Sequence, residues 1–158
     1  MVEVELKFQI PVARRTALLK ALDPKKSQQI QLQAKYYDTT DRQLARHGVA
    51  LRQRLEGTRW VQTLKAAGKS HIERFEHNHD LGKLTASPEL DLDIYKKFPE
   101  AGAILSNALS NQFNQLQLQF ETDIARTLRV IDYEDTQIEV SLDIGQIRTQ
   151  DAEQEVHE

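Results

Sequence analysis

Apolar and polar residues alternate one for one over much of this chain, and the first ten residues already show it. In Glu3-Val4-Glu5-Leu6-Lys7-Phe8 an extended backbone sends Glu3, Glu5 and Lys7 to one side and Val2, Val4, Leu6 and Phe8 to the other. The alternation predicts a strand from Val2 to Ile10. Pro11 then suits the first turn of a helix whose apolar stripe is Val12, Leu18, Leu19 and Leu22, and Asp23-Pro24 stops it. The stretch from Lys25 to Gln33 is polar and sets no period. Lys35 to Thr39 reads as a strand ending in a turn, followed by a short helix from Asp41 to His47 with Gly48 as its stop. Three strands are predicted next: Val49 to Leu55, Trp60 to Lys65 and Ile72 to Leu81, with Gly57 and Ala66-Ala67-Gly68-Lys69 as turns. From Lys83 to Pro99 the pattern is hardest to read; Leu90, Leu92 and Ile94 alternate with Asp91 and Asp93, as in a strand or an extended loop. Glu100 to Asn111 has helical spacing, with Ala101, Leu105, Ala108 and Leu109 on one side. Strands from Gln117 to Ile131 and Gln137 to Ile147, joined by the acidic turn Asp132-Tyr133-Glu134-Asp135, close the reading.

The charges in these strands keep to one face. Arg52 and Arg54 point together, against Leu51 and Leu55. Lys65 shares a face with Thr63 and Val61, and Arg74 with Glu76. Arg126 lies between Ile124 and Leu128, while Glu139, Ser141 and Asp143 alternate with Ile138, Val140, Leu142 and Ile144. Taken singly, each is an amphipathic strand with its charges in water. Taken together, the apolar faces need covers, and the two longer helices are the covers on offer. With helices outside, the charged faces converge on a shared interior, as in a closed antiparallel barrel with a polar bore. That bore would set Lys7, Arg52, Arg54, Lys65, Arg74 and Arg126 against Glu3, Glu5, Glu76, Glu139 and Asp143. Buried charges need partners. The guanidinium forks fit a polyanion with several phosphoryl groups, and the carboxylates fit the divalent ions that accompany it.

Composition narrows the classes. At 158 residues the chain is expected to form a single domain, residues 1–158. Apolar residues make up 39% and charged residues 28%, polar enough to accommodate a charged interior. A net charge of −3 gives no global field for nucleic acid or acidic lipid, so an anion site has to be local. The absence of cysteine excludes disulfides, thiolate chemistry and cysteine-based zinc sites. No signal peptide or membrane-length apolar run is seen, and the expectation is a cytoplasmic protein without nucleic-acid or membrane partners. Several motifs look chemical and are read as structural. His77 and His79 fall opposite Arg74 and Glu76, so they point outward; Asp91 and Asp93 lack a neighbouring cationic strand; Ser141 has no evident histidine partner. Trp60 and the tyrosines lack the basic interleaving of a nucleic-acid platform.

Seven segments then stand in an order that resembles the CYTH superfamily, the triphosphate tunnel metalloenzymes, and within it the bacterial inorganic triphosphatases. They are Glu3-Val4-Glu5-Leu6-Lys7-Phe8, Tyr36-Tyr37-Asp38-Thr39, Leu51-Arg52-Gln53-Arg54, Thr63-Leu64-Lys65, Glu73-Arg74-Phe75-Glu76, Thr122-Asp123-Ile124-Ala125-Arg126 and Ile138-Glu139-Val140-Ser141-Leu142-Asp143-Ile144-Gly145. The resemblance implies an α+β fold built on an eight-stranded antiparallel tunnel. It implies that Lys7, Arg52, Arg54, Lys65 and Arg126 hold and act on a triphosphate, with Arg74 matching some relatives only. It implies Mg²⁺ or Mn²⁺ on Glu3 and Glu5, with Glu76, Glu139 and Asp143 as further acids near the metal. The activity so implied is hydrolysis of inorganic triphosphate. A thiamine or nucleoside triphosphatase, an adenylyl cyclase and a non-catalytic polyphosphate or nucleotide binder are the alternatives. The family pattern continues after Asp143 with an acidic strand, helices and often a CHAD domain, whereas Glu155-Val156-His157-Glu158 stands where that strand should begin. The expectation is therefore a barrel short of its last strand, dimerised through the exposed edge or open on one side.

Overall fold

The computed structural model describes residues 6–68, 74–110 and 112–158. Three helices and seven strands make up the frame: α1 (Val12–Leu22), β1 (Gln28–Asp38), α2 (Gln43–Arg46), β2 (Val49–Glu56), β3 (Arg59–Ala67), β4 (Arg74–Gly82), α3 (Pro99–Leu109), β5 (Gln117–Tyr133), β6 (Thr136–Arg148) and β7 (Glu153–His157). All strands lie in one antiparallel sheet in the order β4-β3-β2-β1-β5-β6-β7. Several expected elements stand close to where the alternation placed them. β1 starts earlier than expected: the polar stretch after Lys26 is its first half, paired with β5 from Gln28↔Leu128 onward. Polar side chains on a strand exposed on one side leave no period to read.

One face of the sheet is covered. Ala101, Leu105, Ala108 and Leu109 recur on one side of α3 and pack, with Leu44, Ile94 and Tyr95, on Val49, Leu51, Leu64 and Ala66 of β2 and β3. Two glutamines share this covered face and are fully buried. Gln53 Nε2 donates to the Glu89 carbonyl at 2.9 Å and to Gln62 Oε1 at 3.1 Å. Gln62 Nε2 donates to the Asp91 carbonyl at 2.6 Å, and the Tyr37 hydroxyl donates to Gln53 Oε1 at 3.0 Å. The unread stretch after Lys83 is thus an extended loop fastened to the sheet by two buried amides, followed by a 3₁₀ helix, Asp93–Lys97. His77 packs on Phe98 and Tyr95 on the outward side that the alternation gave it, and Asp91 accepts the Asp93 backbone N–H in a local turn.

Tyr36-Tyr37-Asp38-Thr39 also turns out to be scaffold at its end. The buried Asp38 carboxylate accepts the backbone N–H groups of Thr39, Leu44 and Ala45 at 2.8–3.0 Å, capping α2. Helix α1 departs from its predicted stripe: Val12 and Leu19 are exposed and only Leu22 is buried. At the C-terminal end of α1, Arg129 Nη1 donates to the Ala21 carbonyl at 2.9 Å.

Two expectations about closure need correction. The stretch Glu153–His157, expected to stop short of a strand, is one, and pairs with β6 from Ile144↔His157 to Arg148↔Glu153. The sheet nevertheless has seven strands among the described residues instead of eight, and it is open, with β4 and β7 at its ends. Residues 6–10, the described part of the expected first strand, join no ladder. Alternation sets which side chains share a face, but a strand also needs an edge to pair with. Among the described residues this segment's backbone bond to the sheet edge is Ile10 N–H to the His157 carbonyl at 3.3 Å.

Candidate functional site

Directly paired residues of neighbouring strands stand on the same face, so the register decides which charges meet. On the face away from α3, Tyr36 lies opposite Arg52, Arg52 opposite Thr63 and Thr63 opposite Asn78; Ala34 lies opposite Arg54; Lys65 lies opposite Glu76. The same face continues through Ile30↔Arg126 and Arg126↔Asp143. Arg52, Arg54, Lys65 and Arg126 therefore share one side of the sheet with Glu76 and Asp143, as the alternation predicted. Between them Leu32, Ala34 and Ile124 form a buried apolar floor on that side.

The charges fall into two groups. In the first, on β2 to β4, Lys65 Nζ lies 3.0 Å from Glu76 Oε2 and Asn78 Nδ2 donates to Glu76 Oε1 at 3.0 Å. Partial burial would raise the Glu76 carboxyl, but these bonds and the charges of Lys65 and Arg52 outweigh it and hold the group below its ordinary value. Arg54 is bonded along its own strand to Glu56. Arg52 is different: its Nε is buried and has no hydrogen-bond partner among the described residues. In the second group, on β5 and β6, Arg126 Nε and Nη2 donate to the two Asp143 oxygens at 2.7 Å each. Asp143 pairs through its backbone with Glu158, whose carboxylate lies 3.9 Å from Lys7 Nζ. Tyr36 and Ile30, which carry the two groups' registers, are six positions apart on β1, roughly 20 Å of strand.

Not every expected residue joins these groups. Glu3 and Glu5 lie outside the described residues. For Arg74 the structure gives the backbone register alone, opposite Ala67. Glu139 is exposed opposite Val130, on the part of the β5–β6 hairpin that runs past the last β1 partner, Leu128. Among the described residues no three acidic or histidine side chains gather as a metal seat. Two concavities lie elsewhere: about 360 Å³ on the outward side of β5 to β7, and about 530 Å³ beside α3.

Asn78 and Phe120 were not read from the sequence as members of the site, and Thr63 and Tyr36 were read as parts of family segments without a role at the site. Thr63, buried on the charged face, donates to Asn78 Oδ1 at 2.7 Å, and Asn78 in turn holds Glu76. Continuing the period of two from Glu76 finds Asn78, although its partner depends on register. Next to Arg52, Tyr36 stacks on Phe120 with ring centres 4.4 Å apart.

The sequence model of the CYTH domain family matches residues 1–158. The inorganic triphosphatase of Haemophilus influenzae is 30% identical over 126 residues, which cover 78% of this chain and 33% of that protein. The chain thus spans about a third of that relative's length. The crystal structure of a candidate adenylate cyclase from Bacillus halodurans superposes with a TM-score of 0.60 at 20% identity, covering 98% of this chain and 77% of that one. This likeness is one of fold. No helix among the described residues is long and apolar enough to cross a membrane.

Proposed function

The chain belongs to the CYTH domain family, and from that premise we propose that it hydrolyses triphosphates, inorganic tripolyphosphate first, on the charged face of its sheet. The observation that carries the proposal is Arg52. Its buried Nε has no hydrogen-bond partner among the described residues; a guanidinium nitrogen left so is costly, and a phosphate oxygen satisfies it with a charge-assisted bond. Arg54 and Lys65 stand beside it on β2 and β3, each held by a carboxylate that a polyanion can replace as partner.

Arg52, Arg54 and Lys65 would bind and orient the phosphoryl chain, and Arg126 would meet its other end if the sheet curls its two charge groups together. Attack of water on a terminal phosphorus breaks one phosphoanhydride bond and yields phosphate and pyrophosphate. Charge that develops on the transferring group and the leaving oxygen is stabilised by cations already in place. Mg²⁺ or Mn²⁺ belongs to the proposal through the Glu3-x-Glu5 pair, whose hard oxygen donors suit those ions. The described carboxylates alone do not fit such an ion, because Glu76 and Asp143 are taken by Lys65 and Arg126 and do not gather. The steps derived for this chain therefore rest on its cations.

Phosphate release from tripolyphosphate, with Mg²⁺ or Mn²⁺ supplied and withheld, is the test. Arg52→Ala should lower kcat/KM by about a hundredfold or more, the scale of losing a charge-assisted contact in a preorganised site. A variant as active as the parent would overturn the assignment. A second reading, a triphosphate that carries an aromatic ring, is favoured by the Tyr36–Phe120 stack beside Arg52. Thiamine and nucleoside triphosphates tested beside tripolyphosphate separate the two.

A further inference from the structure

Among the described residues Arg52 Nε has no hydrogen-bond partner, although a carboxylate is within its influence. Its charge acts on Glu76 across β3. The two residues stand two strands apart, about 10 Å across the sheet, a span that an arginine and a glutamate side chain together bridge. Yet both Glu76 oxygens are turned to other donors: Oε2 to Lys65 and Oε1 to Asn78, at 3.0 Å each.

Asn78 is itself aimed. Its Oδ1 accepts from the Thr63 hydroxyl at 2.7 Å, and Thr63 is 1% exposed, so the hydroxyl is held in the sheet beside Arg52. With Oδ1 committed to Thr63, Nδ2 faces Glu76. The opposite amide orientation would press a carbonyl oxygen against a carboxylate. Without Asn78, Lys65 alone would tether Glu76 at one oxygen and leave the other free to pivot.

We propose that Thr63 and Asn78 are positioning residues that hold Glu76 away from Arg52 and so keep Arg52 open to an incoming phosphate oxygen. The inference rests on the reading of Arg52 as an anion contact. Removing the relay lets the protein neutralise its own anion seat with Glu76, which then competes with the substrate.

The test compares the parent, Asn78→Ala, Thr63→Val and the double variant Asn78→Ala/Glu76→Gln, in two measurements. The first, NMR of the arginine Nε–H groups in the free protein, needs no substrate. Asn78→Ala should move the Arg52 resonance downfield as Glu76 engages it, Thr63→Val should move it the same way by less, and the double variant should restore the parent position. The second is calorimetric binding of tripolyphosphate without metal. Asn78→Ala should bind about tenfold more weakly, the scale of one bond to a charged group, and the double variant should regain the parent affinity, because a neutral amide does not quench Arg52. An unmoved Arg52 resonance in Asn78→Ala overturns the inference. So does weakened binding that Glu76→Gln fails to rescue, since Asn78 would then matter only to the fold. If the parent binds no tripolyphosphate, the proposed function fails, and the resonance still decides the role of Asn78.

Discussion

Arg52 and Gln53 are neighbours in sequence and face opposite ways across the sheet. Arg52 carries on the charged side a buried nitrogen with no hydrogen-bond partner among the described residues, while Gln53 is fully buried under the loop on the other side. The period of two assigned Arg52, Arg54, Lys65, Glu76, Arg126 and Asp143 to one face, and the register agrees at each. It could not say that Gln53 and Gln62 would be core residues, because a polar residue enters a core only where donors and acceptors from distant segments meet it. The partners of Glu76 were hidden for the same reason. Tyr95 shows what such burial does. Burial, with the Asp91 charge adding to it, pushes its hydroxyl up to about 12 against the bond it shares with Gln62. A phenol whose folded value exceeds its unfolded value of 10.0 keeps its proton longer when folded. It therefore contributes stability that is complete below pH 10.0 and lost as pH climbs towards about 12. Tyr37, raised by burial and by Glu121, adds to the same alkaline limb. Melting temperatures at pH 9 and above pH 11 should fall less steeply for Tyr95→Phe than for the parent, and an identical fall would show that Tyr95 is not the group titrating.

Strands and helices were the most legible level wherever one face met the core and the other met charge. β2, β3 and α3 stand close to their predicted places because α3 offers an apolar stripe to strands that alternate. The first half of β1 and the strand β7 were missed, since Gln28-Gln29-Ile30-Gln31 and Glu153-Gln154-Glu155 carry too few apolar residues to set a period. Their pairing to β5 and β6 is what makes them strands. The β5–β6 pair has a requirement that the sequence shows only as a glycine. A Cβ on Gly145 would stand 2.0 Å from the Asp123 carbonyl oxygen and 2.8 Å from Ile124 Cα, both backbone atoms that cannot swing aside. Gly145→Ala should therefore destabilise the fold by about 3 kcal/mol or more. Arg126 and Asp143 sit on this same pair of strands, so if the sheet closes on its ligand any fraction that stays folded should also bind tripolyphosphate more weakly. Denaturant unfolding measures the first effect and calorimetry the second. An alanine variant of parental stability would mean that β6 can draw back from β5 without cost.

At the scale of the whole molecule, the charged face is continuous but its two groups of cations are far apart along β1. Among the described residues the sheet's outermost strands, β4 and β7, border one group each. A polyanion that bridges Arg52 and Arg126 would draw those ends towards each other, because each new phosphate contact offsets the repulsion between like charges on that face. Residues 6–10 are placed to take part. They touch the β7 edge through Ile10 and His157, Lys7 lies by Glu158, and Leu6 and Phe8 expose most of their apolar surface. If the sheet closes around its ligand, tripolyphosphate should slow amide hydrogen exchange at residues 6–10 and along the outer edge of β4, while leaving the α3 core unchanged. Protection confined to β2 and β3 would instead mean that the ligand lies in an open trough at Arg52, Arg54 and Lys65. Arg126→Ala separates the two outcomes by a second route: closure makes its loss weaken tripolyphosphate binding about as much as Arg54→Ala does, whereas in an open trough only Arg54→Ala weakens it.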